Sequence, residues 1–390
     1  MSNNCDLCGR DALHAIYEPE RSTRGLKIHL CEFCGLLQSL PRIDRAPRAP
    51  MAVSSGADWG NVRYGKGFRT RAAMDALASH ADLSRELSIL DVGSNRGSFA
   101  RAVLNAAPNA NLVALEPDER VAGLCADLPR TGLVCARIED AALETGRFDI
   151  IHSCHTLEHV AAPLAVLRDH WRTLKAGGLL VLDVPNTAIL DSHDIVEEWF
   201  IDKHLYHFSA RTLIAMVEAA GFEIVQKPDA RDRENLLIVA RKSSHSLPRI
   251  ARDERESEEA GKLIATYRAI RAQNLKALSA VAAEIAQLTP RRVAIWGAGR
   301  LFDSLVVHGG FEPSKLALLI DKHLKPHVAE RFGCTVSMPD ALKDANVGVV
   351  IVMSRSFASE IEREARSLAP RAEVLFYSDL VAHARLKRAA

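Results

Sequence analysis

The chain has 390 residues, 48% hydrophobic and 25% charged, with 50 Lys plus Arg against 49 Asp plus Glu. That length exceeds one compact core and predicts two or three domains, while the even charge balance speaks against a dedicated nucleic-acid binder. No apolar run reaches the ~18 residues of a membrane helix, and the start "MSNNCDLCGR" lacks the basic and apolar blocks of a signal peptide, so no membrane partner and a cytoplasmic location with reduced thiols are expected.

Residues 1–40 hold two CxxC pairs, Cys5 with Cys8 and Cys31 with Cys34, separated by 22 residues. Each pair can form a knuckle whose backbone N–H groups support two thiolates, and two knuckles supply the four soft ligands of a tetrahedral zinc site. The segment has few apolar residues, so metal binding would provide much of its folding free energy. A closed four-cysteine site is structural, and this zinc is expected to carry no chemistry.

Residues 41–70 are rich in Pro, Arg, Ser and Gly and read as a linker or active-site cover, with Trp59 and Tyr64 suggesting partial packing. From 71 to 242 helical and strand patterns alternate. "LSILDVG", "NLVALEPD", "FDIIHSC", "LLVLDVPN" and "ENLLIVARK" read as strands; "PLAVLRDHWRTLKAGG" reads as a helix closed by its glycines. Near-continuous apolar strands between helices mean an α/β fold with a parallel sheet covered on both faces. Residues 243–290 are charged and alanine-rich, with Leu263, Tyr267, Ile270, Leu275 and Leu278 near helical spacing, so one long connecting helix or a pair is expected. Residues 291–390 repeat the alternation as a second, small Rossmann-like unit.

The chemistry concentrates at "LDVGSNRGSF", residues 90–99. Gly93 and Gly97 let the backbone turn sharply against a ligand, with Ser94 between them. Asp91 stands at a strand's carboxyl end, where open α/β sheets bind ligands. Glu116 ends the next strand, 19 residues after Gly97, where a carboxylate can accept both hydroxyls of a ribose. The two features together fit a nucleoside-containing cofactor.

The order D-x-G-x-x-x-G with a following acidic strand end resembles the class I S-adenosylmethionine (SAM)-dependent methyltransferases, as do "FDIIHSCHTLEHV" and "LKAGGLLVLDVPN". The resemblance implies that Asp91, Gly93 and Gly97 line the methionine end of the cofactor and that Glu116 holds the ribose. It implies that Ile138 and Glu139 flank the adenine, with Ser153, Cys154 and His155 beside the sulfonium. The whole layout, a four-cysteine segment, a methyltransferase core and a C-terminal block with a "GAG" turn, resembles the nucleotide-sugar C-methyltransferases. That family carries "YHEH"-like residues where this chain has Ile201, Asp202, Lys203 and His204, so only His204 matches. The implied partner is a small-molecule acceptor, a sugar nucleotide.

The stretch "FIDKHLYHFSARTL", 200–213, falls between two strands on the acceptor side. Methyl transfer from a sulfonium is an in-line displacement governed by alignment, and a hydroxyl acceptor also needs a base. His204 is the first candidate for that base. Tyr206 and His207 are candidates for orienting the substrate, with His204 and His207 sharing a face if the turn is helical. His159 is expected to cap a turn, and of His152 and His155 only His155 is expected at the site. In the C-terminal unit "WGAGRLF" has Phe302 in place of a third glycine, Asp321 ends the next strand, and substrate-nucleotide binding or a structural role is expected; His308, His323 and His327 read as surface. Two alternatives accompany the sugar reading: O- or N-methylation of a non-sugar metabolite, and a non-enzymatic zinc-ribbon interaction protein.

Overall fold

The structure, a computed structural model, describes residues 4–20, 22, 25–41, 67–243, 248–326, 328–355 and 357–389. The expected cover with Trp59 and Tyr64 lies almost wholly outside the described residues, as does His327. Within the described residues two compact units appear. One takes residues up to 41 with 67–190 and 200–264; the other takes 191–199 and everything from 265.

The first unit opens with strands β1 (Leu13–Tyr17), β2 (Lys27–Cys31) and β3 (Leu37–Leu40). Helix α1 (Gly67–Ala78) follows, then β4 (Ser88–Val92), α2 (Ser98–Ala106), β5 (Asn111–Leu115), α3 (Glu119–Ala122), β6 (Thr131–Val134) and β7 (Phe148–Cys154). Next come α4 (Pro163–Thr173), β8 (Leu174–Pro185), β9 (Tyr206–His207), α5 (Ala210–Ala219), β10 (Phe222–Gln226) and β11 (Asn235–Lys242). Seven strands form one sheet in the order β10-β11-β8-β7-β4-β5-β6. Its core is parallel, and β11 and β10 close one side antiparallel. Ile89 and Leu90 are both fully buried although they point to opposite faces, which is why the sequence shows a continuous apolar run. Because β5 and β6 lie on one side of β4 and β7 and β8 on the other, the strand order reverses between β4 and β7, where doubly wound sheets bind ligands.

Two expectations are corrected. The glycines of "LKAGG" do not close α4. The helix stops at Thr173 because Leu174 turns extended and pairs with Phe148, and the glycines sit inside β8 at a register shift. The 200–208 stretch forms no helical turn either. Tyr206 and His207 make β9, which pairs antiparallel with β3, so the cysteine segment and the acceptor-side stretch share one four-stranded sheet, β1-β2-β3-β9.

Helix α6 runs unbroken from Glu254 to Leu288. The second unit continues with β12 (Val293–Trp296), α7 (Arg300–Val307), β13 (Leu318–Ile320), β14 (Glu330–Arg331), β15 (Cys334–Ser337), β16 (Val349–Val352), α8 (Ala358–Leu368), β17 (Glu373–Phe376) and α9 (Tyr377–Ala389). Its sheet order is β14-β15-β13-β12-β16-β17, parallel except for β14 against β15. Among the described residues no helix is long and apolar enough to cross a membrane.

Candidate active site

Asp91 ends β4 facing a recess at the β4–β7 reversal, and the turn beyond it is built for close backbone approach. Gly93 and Gly97 have φ of +66° and +72°, in the left-handed region that glycine adopts without strain. At Gly97 space is also tight, since a Cβ there would lie 2.7 Å from Cys125 Sγ. Glu116 braces this loop from the end of β5: its two carboxylate oxygens accept the N–H groups of Asn95 and Asp118, each at 3.0 Å. Each oxygen keeps a second lone pair for a ligand hydroxyl.

The recess is lined by four residues to which the sequence assigns a cofactor role, Asp91, Gly93, Ser94 and Cys154, and by five to which it does not: Arg69, Thr70, Ser98, Phe99 and His152. Asp91 and Ser94 are nearly inaccessible, yet Asp91 Oδ2 and Ser94 Oγ have no hydrogen-bond partner among the described residues. Buried polar atoms without partners are costly. Both belong to residues lining one recess, and a ligand carrying an ammonium or hydroxyl would satisfy them.

Of the two histidines near the end of β7, the sequence favours His155 for the site; the structure brings His152 into the recess lining and places His155 beside Cys154, its ligating nitrogen within 4.8 Å of the Cys154 sulfur. His152 Nδ1 lies 2.7 Å from Asp91 Oδ1, and its ring stacks on Phe99 at 3.6 Å between centroids. His155 Nε2 instead meets Asn235 Oδ1 at 3.0 Å, outside the recess lining. Strand alternation is the signal that favours His152: in "FDIIHSC" Ile151 points to one face and Ile150 and His152 to the other, the face of Phe99. Arg69 escapes notice because its helix begins in the segment that reads as a linker. Its Nε donates to Asp183 Oδ2 at 2.6 Å and a terminal nitrogen to Asp232 Oδ2 at 3.0 Å. Burial pushes the Asp183 carboxyl above its usual range despite that arginine. Ile138 is buried in the core cluster that holds Val92 and Leu115, and the Glu139 carboxylate accepts Ala161 N–H at 3.3 Å. Ser153 is buried within β7.

On the acceptor side the three candidate positions separate. His207 is buried; burial alone pushes its pKa down to about 3. Tyr206 is buried as well, its hydroxyl against the Asp6 carboxylate of the cysteine segment and 2.9 Å from Ala161 O. His204 is half-buried, and its ring meets that of His159 edge-on at 4.8 Å. His159 Nδ1 faces Lys203 O at 2.9 Å, so that nitrogen carries the proton and Nε2 turns toward the buried Glu158 carboxylate, 3.5 Å away. Glu158, His159 and His204 thus form one cluster whose ligating atoms lie within 4.8 Å of each other.

The four cysteines converge as their spacing predicts. Cys5 and Cys34 sulfurs are 3.5 Å apart and those of Cys8 and Cys31 3.6 Å. Tetrahedral zinc with bonds of about 2.3 Å needs sulfurs about 3.8 Å apart, so the set fits that ion. Gly9 N–H to Cys5 O and Gly35 N–H to Cys31 O, both 2.8 Å, close the two knuckles.

Comparison with known proteins agrees with this geometry. Residues 66–227 match the family described as "Methyltransferase domain". Over 127 residues the chain is 31% identical to a malonyl-[acyl-carrier protein] O-methyltransferase of Laribacter hongkongensis, covering 28% of this chain and 42% of that protein. Over 117 residues it is 30% identical to a ubiquinone biosynthesis O-methyltransferase of Xanthomonas oryzae pv. oryzae, covering 29% of this chain and 48% of that one. The chain spans less than half the length of these curated relatives. A SAM-dependent methyltransferase structure from Listeria monocytogenes aligns over 45% of this chain and 99% of its own, with 18% identity and a TM-score of 0.38. Residues 66–227 are thus similar to a methyltransferase domain.

Proposed function

We propose that the protein is an enzyme that transfers a methyl group from SAM to a sugar, nucleotide-linked in the reading carried by its three-part layout. The observation that carries the methyl-transfer reading is the recess at the β4–β7 reversal, where buried Asp91 Oδ2 and Ser94 Oγ are without partners. Asp91 and Ser94 would hold the amino-acid end of the cofactor, Glu116 its ribose, and Ile138 with Glu139 the adenine. The bound cofactor supplies an electrophilic methyl on a sulfonium. The chain's own residues would align the acceptor, exclude water and take up its proton.

His204 is the residue proposed for that proton. It is half-buried with its ring edge-on to that of His159, and imidazole is the side chain suited to taking up a proton near neutral pH. Tyr206 and His207 would act by position, as the strand that seats His204. Lys203, where the resembled C-methyltransferases have an acid, and the O-methyltransferase names of the relatives both favour oxygen as the methylated atom. The four cysteines would hold a structural zinc.

The test combines methyl-labelled SAM with a panel of sugars and sugar nucleotides. The reading expects label on a sugar oxygen with the wild-type protein. It also expects His204→Ala to lose turnover while SAM affinity stays within about threefold. Label on a non-sugar metabolite alone would move the acceptor to the second class, and His204→Ala with full turnover would remove the base.

A further inference from the structure

The second unit repeats the plan of a nucleotide-binding fold. Its strand order reverses between β12 and β16, and a ligand would lie across the carboxyl ends of those strands. That crevice holds part of the chain itself. Residues 191–199, "DSHDIVEEW", leave the methyltransferase unit after Leu190 and pack within the second unit.

The grip is dense and mostly ionic. Arg355 follows β16, and its Nε reaches both oxygens of Asp194 at 2.8 and 2.9 Å. One terminal nitrogen bonds Asp194 O at 2.8 Å and Glu197 Oε2 at 3.0 Å, and the other bonds Glu197 Oε1. All three side chains are largely buried; burial raises the Glu197 pKa, and Arg355 outweighs it and holds the carboxyl below its usual range. Tyr377, after β17, donates to Asp194 O at 3.2 Å. From the other side Asn274 of α6 donates to the carbonyls of His193 and Ile195, both at 2.9 Å.

Packing within the unit accounts for the features that suggest a nucleotide. Gly297 has φ +121° and its Cβ would collide with the Met353 carbonyl, so sheet packing alone requires glycine there. Asp321 accepts the N–H groups of Ala298, His323 and Leu324, bracing the turn from within. A guanidinium that could clasp a phosphate clasps two carboxylates of the strap.

We propose that the crevice of the second unit is a receptor for the chain's own acidic strap in place of a nucleotide. Arg355 is its anchor, and Asp194 and Glu197 are positioning residues. The strap ends at Trp199, one residue before the stretch that carries His204, so the grip holds the residue from which that stretch departs; this consequence rests on the function proposed above.

Hydrogen exchange on the full chain tests the proposal, with ADP, UDP and NAD as probes. The wild-type strap, 191–199, is expected to be protected, with no change on adding any of the three at millimolar concentration. The double variant D194N/E197Q is expected to exchange there at least tenfold faster, while S-adenosylhomocysteine binds within threefold of wild type. Should the double variant fail to fold, Arg355→Lys keeps the charge and loses the fork, and a several-fold acceleration confined to the strap is expected. A strap unprotected in the wild type, a nucleotide that changes its exchange or binds this unit, or unchanged protection in the folded variants overturns the proposal. Failure of the wild-type chain to bind S-adenosylhomocysteine would strike the methyltransferase reading alone.

Discussion

Ser39 of the cysteine segment stands 3.0 Å from Nε2 of His207, and the same hydroxyl donates to the His204 carbonyl at 2.9 Å. One serine on β3 therefore ties down two residues of the acceptor-side stretch. With its proton given to His204 O, Ser39 accepts from His207 Nε2–H, which fixes the neutral tautomer of that buried ring. Ser39→Ala would leave the His207 donor buried and unsatisfied, at a cost of about 1–3 kcal/mol. Denaturant unfolding should show that loss, and turnover should fall more than SAM affinity.

Metal loss should act along the same route. Zinc analysis of the purified protein is expected to give about one ion per chain, and Cys34→Ser or prolonged chelation should abolish it. Because β9 pairs with β3, the 200–208 stretch should then show faster hydrogen exchange, whereas the β4–α2 loop and S-adenosylhomocysteine affinity should change little. Loss of cofactor binding along with the metal would contradict this division.

The pH dependence of stability has a defined sign. Burial lowers His207 to about 3 and His170 to about 4 from an ordinary 6.5. Between those values and 6.5 the unfolded chain binds protons that the native one refuses, so stability is full above about pH 6.5 and falls as pH drops. Each histidine contributes about 1.4 kcal/mol per pH unit, or about 2 kcal/mol each between pH 6.5 and 5. Urea unfolding at pH 7 and 5 checks this, and His170→Asn should reduce the slope.

At the glycine turn, Gly97→Ala must adopt φ +72° with its methyl 2.7 Å from Cys125 Sγ. Strain of about 1–3 kcal/mol is expected. The thermal midpoint should fall, and cofactor affinity should fall with it because the turn carries Ser94.

How much of the molecule is legible in the sequence follows from how local each signal is. The CxxC pairs, the glycine turn and the acidic ends of β4 and β5 are short-range devices whose geometry is set by a few neighbouring residues, and they are readable. The alternation of helix and strand is readable because Ile89, Leu90 and their neighbours are buried on both faces. Contacts over 75 residues or more are not. Nothing around Tyr206 announces a strand, since β9 exists only because β3 is there to pair with it. Helix α6 shows the same limit: its buried stripe includes Arg271 and Asn274, polar residues that no apolar periodicity would select, because they bond the strap. Arg69 joins the recess through Asp183 and Asp232, more than 110 positions away.

We propose that the β4–β7 recess binds SAM through Asp91, held in place by His152. Titration calorimetry with S-adenosylhomocysteine on the wild-type chain, Asp91→Ala and His152→Phe tests it most directly. One site per chain is predicted in the wild type. Losing a charge-assisted bond of about 1.5–3 kcal/mol should weaken affinity roughly tenfold to hundredfold in Asp91→Ala, with a smaller loss in His152→Phe. No saturable binding in the wild type, or equal affinity in all three folded proteins, would contradict the account.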